Sequence, residues 1–326
     1  MNVLEIKDLT VRYTIGRKEI HAVENLSISV KEGRFLGVVG ESGSGKSTLA
    51  HTVMRLLPKN AYVLKGQIKL LGHEILSMSE DDIRQLRWKE FSMVFQRSMN
   101  ALSPVHKIGV QMSEALMIHN PQMSEEQIKN RLESLLGAVN LPVRVLDCYP
   151  HQLSGGMMQR VMIALALVNS PKFVILDEAT TALDVVTQGQ IIEELKNLIG
   201  KFSLTGMVIS HDLGVVAELC DDIAVMYAGR LMEYGSKDGI IHSPFHPYTK
   251  ALVGSLPDFG KKGGRLYSIP GNLPDLSQEM NYCVFASRCE IASKECFEEV
   301  PFHVEVQGHR VACLKVGKDH AHIAGK

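Results

Sequence analysis

No stretch of this sequence is apolar for long enough to span a bilayer. The longest runs, such as Val161–Val168 and Phe173–Leu176, fall far short of the roughly 20 residues a transmembrane helix needs. Neither charge is in excess: 35 basic and 36 acidic side chains give a formal net charge of −1, which removes the bulk electrostatic case for binding nucleic acid or an anionic membrane surface. The opening MNVLEIKDLT lacks a basic segment followed by an apolar one, so no secretory signal is expected. Internal repeats, low-complexity tracts and sustained heptads are missing as well. These absences lead to the expectation of a cytoplasmic protein that does any membrane work through partners.

What is present is an ordinary globular balance over 326 residues, 45% hydrophobic and 22% charged, enough for one large domain and an appendage. The first 95 residues or so read as β-rich with one helix. LEIKDLTVRY alternates apolar and polar residues as a half-exposed strand does. Phe35–Val39, Phe173–Leu176 and Met207–Ile209 are short apolar runs of the kind buried on both faces of a sheet. From about 97 to 167 the apolar spacing turns helical, as in SEEQIKNRLESLLGAV, which predicts a helical insertion in an α/β sheet core. After Gly235, Pro- and Gly-rich segments (HSPFHPYT, LPDFGKKGGR, IPGNLPD) mark linkers and turns, so the boundary is expected there: a main domain over 1–235 and an extension over 236–326.

Gly40-Glu41-Ser42-Gly43-Ser44-Gly45-Lys46-Ser47-Thr48 follows the apolar strand FLGVV and opens a helix. In that context the glycines let backbone N–H groups turn inward around phosphate oxygens, and the helix N-terminus adds its positive dipole. Lys46 is expected to reach the β- and γ-phosphates of a nucleotide, and Ser47 to offer its hydroxyl to Mg²⁺. A Gly/Ser turn that binds nothing is the bland alternative; strand, loop, Lys-Ser and helix in order speak against it.

The strand Phe173–Leu176 delivers two adjacent acids, Asp177 and Glu178, at its C-terminal end. Neighbouring side chains of a strand point opposite ways, so Asp177 is expected to serve the metal and Glu178 to act as general base toward water. Gln96 and His211 each follow another apolar strand, FSMVF and MVIS. Gln96 is expected to touch Mg²⁺ or the attacking water, and His211 the γ-phosphate. Each alone is the kind of polar residue that commonly ends a strand; their order beside the two stronger motifs gives them weight.

Leu153-Ser154-Gly155-Gly156-Met157-Met158-Gln159-Arg160 opens a further helix. This is a second anion-binding helix start about 110 residues after the first. With it the chain resembles an ABC-transporter nucleotide-binding domain. The phosphate loop, the glutamine of VFQ, the signature LSGGMMQR, the acid strand FVILDE, the TALD loop at Thr181–Asp184 and the switch His211 all occur in family order across Met1–Gly235. The resemblance implies a P-loop NTPase (RecA-like) α/β core with an antiparallel β subdomain and a helical insertion, plus a small cysteine-containing C-terminal extension. It implies that Ser154, Gly155, Gly156 and Gln159 cap the ATP held by a second subunit, and that Asp184 belongs to the loop at the dimer contact. Tyr13 resembles the adenine-stacking aromatic, with His21 and Arg17 as alternatives. One departure is Ala179, where the family usually has Pro after the acid pair.

His246-Pro247-Tyr248-Thr249, Ile269–Pro274 and the clustered thiols resemble the extension of oligopeptide/dipeptide importer ATPases. Four of the six cysteines, Cys283, Cys289, Cys296 and Cys313, are spaced C-x5-C-x6-C-x16-C; in that family four cysteines go with an iron–sulfur cluster, [4Fe-4S]. The spacing is neither a ferredoxin run nor a zinc-finger pair, so cluster, Zn²⁺ and unligated thiols all stay open. Cys148 and Cys220 read as small buried residues. The resemblance further implies ATP hydrolysis in a sandwich of two ATPase subunits, as a heterodimer or a homodimer. It also implies two membrane-spanning permease subunits, an extracellular solute-binding protein acting indirectly, and a place on the cytoplasmic face of the membrane. Peptides are the expected cargo; oligosaccharides and nickel are the alternatives, and an ABC ATPase of DNA maintenance or translation is the rival outside transport.

Overall fold

The alternation in LEIKDLTVRY becomes β1 (Asn2–Ile15), which buries Leu4, Ile6, Leu9 and Val11. The inward positions change from even to odd at Asp8, where a positive φ of 49° and a register shift bulge the strand and return Leu9 to the core side. A computed structural model describes residues 1–96, 101–180, 184–255 and 269–321. Thr181, Ala182 and Leu183 of the TALD loop, and the LPDFGKKGGR segment, lie outside the described residues.

β1 pairs antiparallel with β2 (Lys18–Lys31) and with the later β4 (Ala61–Leu70), which carries the short β5 (His73–Glu74). Between them, β3 (Phe35–Val39) enters the second sheet and leads through the phosphate loop into α1 (Lys46–Val53). After β5 comes α2 (Glu80–Leu86), a second helix in the segment where the sequence leads one to expect one. Ser79 caps it by accepting from Asp82 N–H, and Glu80, Asp81 and Asp82 occupy its first turn.

The second sheet takes β6 (Phe91–Val94), β7 (Phe173–Asp177), β8 (Thr205–Ser210), β9 (Asp222–Tyr227), β10 (Arg230–Ser236), β11 (Val304–Val306) and β12 (His309–Val311), in the order β11-β12-β10-β9-β3-β8-β7-β6. The five strands from β9 to β6 are parallel, and β10, β12 and β11 continue the sheet antiparallel. β3, β7 and β8 are buried at every position, as strands covered on both faces must be.

The helical insertion comprises α3 (Ile108–Met117), α4 (Glu125–Ala138) and α5 (Gly155–Ala166). Ser124 and Gln127 form a reciprocal capping box at the start of α4, and Ile128, Leu132, Leu135 and Leu136 face inward three and four residues apart. α6 (Val185–Phe202) and α7 (Leu213–Leu219) return the chain to the sheet. The extension then runs through α8 (Lys237–His242), α9 (Pro247–Gly254), the cysteine segment, the β11–β12 hairpin and α10 (Leu314–Ala321). It is stitched to the main sheet by Glu233 of β10. That carboxylate is fully buried and accepts from Phe245 N–H (2.9 Å), His246 N–H (2.9 Å) and His309 Nδ1 (2.7 Å).

Candidate active site

β3, β8, β7 and β6 are adjacent and parallel, so their C-terminal ends form one edge. Val39 is level with Ser210, Asp177 with Ile209, and Leu176 with Val94. The phosphate loop, His211, the acid pair and Gln96 each begin within two residues of those ends. This is the edge where open α/β sheets bind ligands.

The loop itself is tightly held. Gly45 caps α1 with a left-handed φ of 96°, and Ser44 donates its N–H to Glu41 O (3.2 Å) while its own carbonyl takes Gly229 N–H (3.1 Å). Ser44 is buried; Ser42 and Gly43 face solvent. Lys46 Nζ donates back to Gly40 O (2.8 Å), Glu41 O (2.9 Å) and Ser44 Oγ (3.4 Å). Burial lowers its pKa, against the raising effect of Glu178, Asp177 and Glu41. Thr48 Oγ1 lies 3.3 Å from the Tyr13 hydroxyl, which brings Tyr13 to the rim of the loop. His21 is engaged with Glu24 instead (3.4 Å), and Arg17 is exposed.

Ser47 Oγ donates to Asp177 Oδ1 at 3.2 Å. The other oxygen of Asp177, Oδ2, is buried without a hydrogen-bond partner among the described residues. Burial raises the Asp177 pKa to about 6, with Glu178 adding to the rise and the Ser47 hydrogen bond and Lys46 opposing it. A divalent cation supplies what this carboxylate lacks, so hydroxyl and carboxylate together fit Mg²⁺.

Glu178 turns the chain with a φ of 48°, and its N–H is pinned to Ile209 O of β8 (2.9 Å). Its carboxylate meets Gln96 and His211. Gln96 Nε2 donates to Glu178 Oε2 (2.5 Å), and His211 Nδ1 stands 3.3 Å from Oε1. Side chains from the ends of β6 and β8 thus converge on the one carboxylate that β7 delivers.

The signature lies in another layer. Ser154 caps α5 through Met157 N–H (3.3 Å) and is exposed, and Gln159 is buried on the same helix. α5 packs on α3, α4, α6 and β6, whereas α1 packs on β2, β4 and β7. Gly156 carries a packing demand that the sequence did not disclose: a Cβ there would lie 2.8 Å from Thr187 Cγ2 of α6. Asp184 caps α6, accepting Thr187 N–H (2.9 Å) and the Thr187 hydroxyl (2.7 Å), and these bonds lower its pKa.

Comparison with known proteins meets this geometry. The profile of the ABC transporter family matches residues 23–181, and that of the oligopeptide/dipeptide transporter C-terminal region matches residues 232–296. A probable peptide ABC transporter ATP-binding protein of Sinorhizobium fredii is 42% identical over 317 residues, 96% of this chain and 95% of that protein. The oligopeptide transport ATP-binding protein OppD of Salmonella typhimurium is 40% identical over 315 residues, 96% and 93% of the two chains. The chain belongs to the ABC-transporter ATP-binding proteins of the oligopeptide/dipeptide group. Among solved structures, the dimeric ATP-binding cassette MJ0796 bound to ADP and Pi matches with a TM-score of 0.65 and 29% identity, over 72% of this chain and 98% of that one.

In this ABC ATPase the cysteine segment carries its own geometry. Cys283 donates its N–H to Cys296 O (3.0 Å). Its thiol is pushed up to about 11 by burial, with Cys296, Cys313 and Cys289 adding to the rise. Among the described residues no three Cys, His or acidic side chains stand close enough to ligate one ion. Cys220 is buried, as expected; Cys148 is half-buried.

Sequence reasoning assigned no role to Tyr227, Tyr248 or Arg288, or to the side chain of Glu41, and the structure brings the first three to Glu41 in the phosphate loop. Glu41 N–H donates to the Tyr248 hydroxyl (3.0 Å), and Arg288 Nη1 bonds Glu41 Oε2 (2.8 Å) and the Tyr227 hydroxyl (3.1 Å). Tyr248 stood in a motif noted only for its likeness to the family; Arg288 stood beside a cysteine and carried no signal.

Proposed function

We propose that this ABC ATPase powers the import of di- and oligopeptides. It would work as one of two ATP-hydrolysing subunits on the cytoplasmic face of a membrane, docked on two permease subunits that receive cargo from an extracellular binding protein. The observation that carries the reading is a complete hydrolytic set at one sheet edge in a chain whose extension matches the oligopeptide/dipeptide type. No helix among the described residues is long and apolar enough to cross a membrane. The separation of signature and phosphate loop into different layers favours a composite site, in which Ser154, Gly155, Gly156 and Gln159 serve the nucleotide of the partner subunit and Asp184 lies near the contact. The named relatives are ATP-binding proteins of peptide transport, which supports peptides over sugars or nickel as the cargo.

Backbone N–H groups of Gly43–Thr48 would cradle the phosphates while Lys46 leaves the Gly40 and Glu41 carbonyls for the β- and γ-oxygens. Tyr13 would stack on the adenine. Ser47, Asp177 and Gln96 would hold Mg²⁺, which when bound offsets charge on the phosphate oxygens. Glu178 takes a proton from water as the water oxygen bonds to the γ-phosphorus and ADP departs with the bridging oxygen. His211 contacts the γ-phosphate and steadies Glu178. In reconstituted transporter, added peptides should raise the ATPase rate and β-linked oligosaccharides should not; the reverse pattern would overturn the cargo.

The thiols Cys283, Cys289, Cys296 and Cys313 are read as ligands of a [4Fe-4S] cluster with a structural role. What supports the reading is the likeness of the extension to the oligopeptide/dipeptide type and the backbone bond from Cys283 N–H to Cys296 O, which joins two of the thiol-bearing turns. Anaerobically purified protein should contain about four irons and four acid-labile sulfides per chain, and Cys283→Ser should lose both. Zinc in place of iron would reject the assignment.

A further inference from the structure

Glu41 is the second residue of the phosphate loop, and three groups hold it at once. Its N–H reaches the Tyr248 hydroxyl, its carbonyl takes Lys46 Nζ, and its carboxylate pairs with Arg288. Two of the three come from the C-terminal extension. The carboxylate is awkwardly placed for a nucleotide site. It is close enough to act on the Lys46 ammonium, and its Oε1 is buried with no hydrogen-bond partner among the described residues. Unneutralised, it would repel the triphosphate that Lys46 is there to bind.

Arg288 is built to remove that charge. Its side chain is only 5% exposed. Nε donates to Pro270 O (2.7 Å), Nη2 to Ile269 O (3.1 Å), and Nη1 to both Glu41 and the Tyr227 hydroxyl, with the guanidinium 5.5 Å from the Tyr227 ring centroid. A planar donor held on four sides has one pose and spends little entropy to keep it. The same stretch packs on the loop directly: a Cβ at Gly43 would meet Leu273 Cδ1 at 3.4 Å. Arg288 is also the residue immediately before Cys289.

We infer that Arg288 is a positioning residue for ATP binding: from the cysteine-bearing extension it neutralises and orients Glu41, so that the phosphate loop accepts the nucleotide's negative charge. The inference rests on the reading of this loop as an ATP site and makes ATP affinity depend on a segment more than two hundred residues away.

The test is calorimetric titration of the full chain with Mg²⁺ and AMP-PNP, a non-hydrolysable ATP analogue, at fixed salt. Arg288→Gln should weaken binding about tenfold, on the order expected when one partner of a shielded ion pair is removed. Adding Glu41→Gln to it should recover most of that loss, a rescue that general damage to the extension would not allow. Unchanged affinity in Arg288→Gln, or no recovery in the double variant, overturns the inference. Should Arg288→Gln not fold, Glu41→Gln alone decides: it leaves the Arg288 charge free toward the phosphates and should bind about two- to fivefold more tightly, and equal or weaker binding overturns the inference. A wild-type chain that does not bind AMP-PNP overturns the nucleotide reading itself, a different result from wild-type binding with Arg288→Gln unaffected.

Discussion

Glu178→Gln should lower steady-state ATP turnover by about 10²–10⁴-fold, the range general-base catalysis contributes, while leaving nucleotide binding nearly intact. The replacement keeps the shape and size of the side chain and removes only its ability to accept a proton. On the proposed reading, phosphate contacts come mainly from elsewhere: the backbone of the loop, Lys46 and His211. Gln96 and His211, which converge on the carboxylate at 2.5 Å and 3.3 Å, hold it in place but offer no equivalent base in its position. Phosphate release from reconstituted transporter, with AMP-PNP affinity measured on the same preparation, separates the two effects. A variant that still turns over within about tenfold of wild type would remove Glu178 from the role of base.

Gly45→Ala should destabilise the chain by about 3–5 kcal/mol, combining left-handed strain with overpacking. The added Cβ would stand 2.2 Å from the Ala22 carbonyl oxygen at a φ of 96°. The Cβ is fixed to the backbone and the atom it meets is backbone, so no rotamer change relieves the clash. Ala22 belongs to β2 of the antiparallel sheet, and Gly45 is where the phosphate loop meets that sheet, so the strain spreads to the loop. Thermal unfolding should shift down by roughly 4–7 °C, and the surviving folded protein should bind ATP poorly. Gly43→Ala is the contrast. Its φ is 81°, but the nearest atom to a new Cβ is a leucine methyl at 3.4 Å, so its cost should be about 1–2 kcal/mol of backbone strain alone. Equal losses at the two positions would show that the clash with Ala22 is not the cause.

Where chemistry lies in contiguous residues, it was legible. The phosphate loop is one segment that needs only the strand before it and the helix after it, and both are written in the local hydrophobic pattern. The acid pair is similar: four apolar residues make a buried strand, and the strand delivers Asp177 and Glu178 to its end. The helical insertion showed through the spacing of Ile128, Leu132, Leu135 and Leu136. The helix α2 was less visible, because seven residues carrying a single buried side chain, Ile83, leave no periodicity to read and only the Ser79 cap announces it.

The sequence by itself thus determined the nucleotide chemistry and the β-α-β frame, since a backbone cradle and a two- or four-residue apolar repeat are local properties of the chain. Tertiary structure alone decided who stands beside whom. Glu178 meets Gln96 and His211 across 82 and 33 residues, which required the order of β6, β7 and β8 in the sheet. Arg288 meets Glu41 across 247, which required the extension to fold back over the loop and add its own strands beside β10. An ion pair leaves no mark on the residues between its partners, so the dependence of the ATP site on the C-terminal extension becomes visible only when the chain is folded.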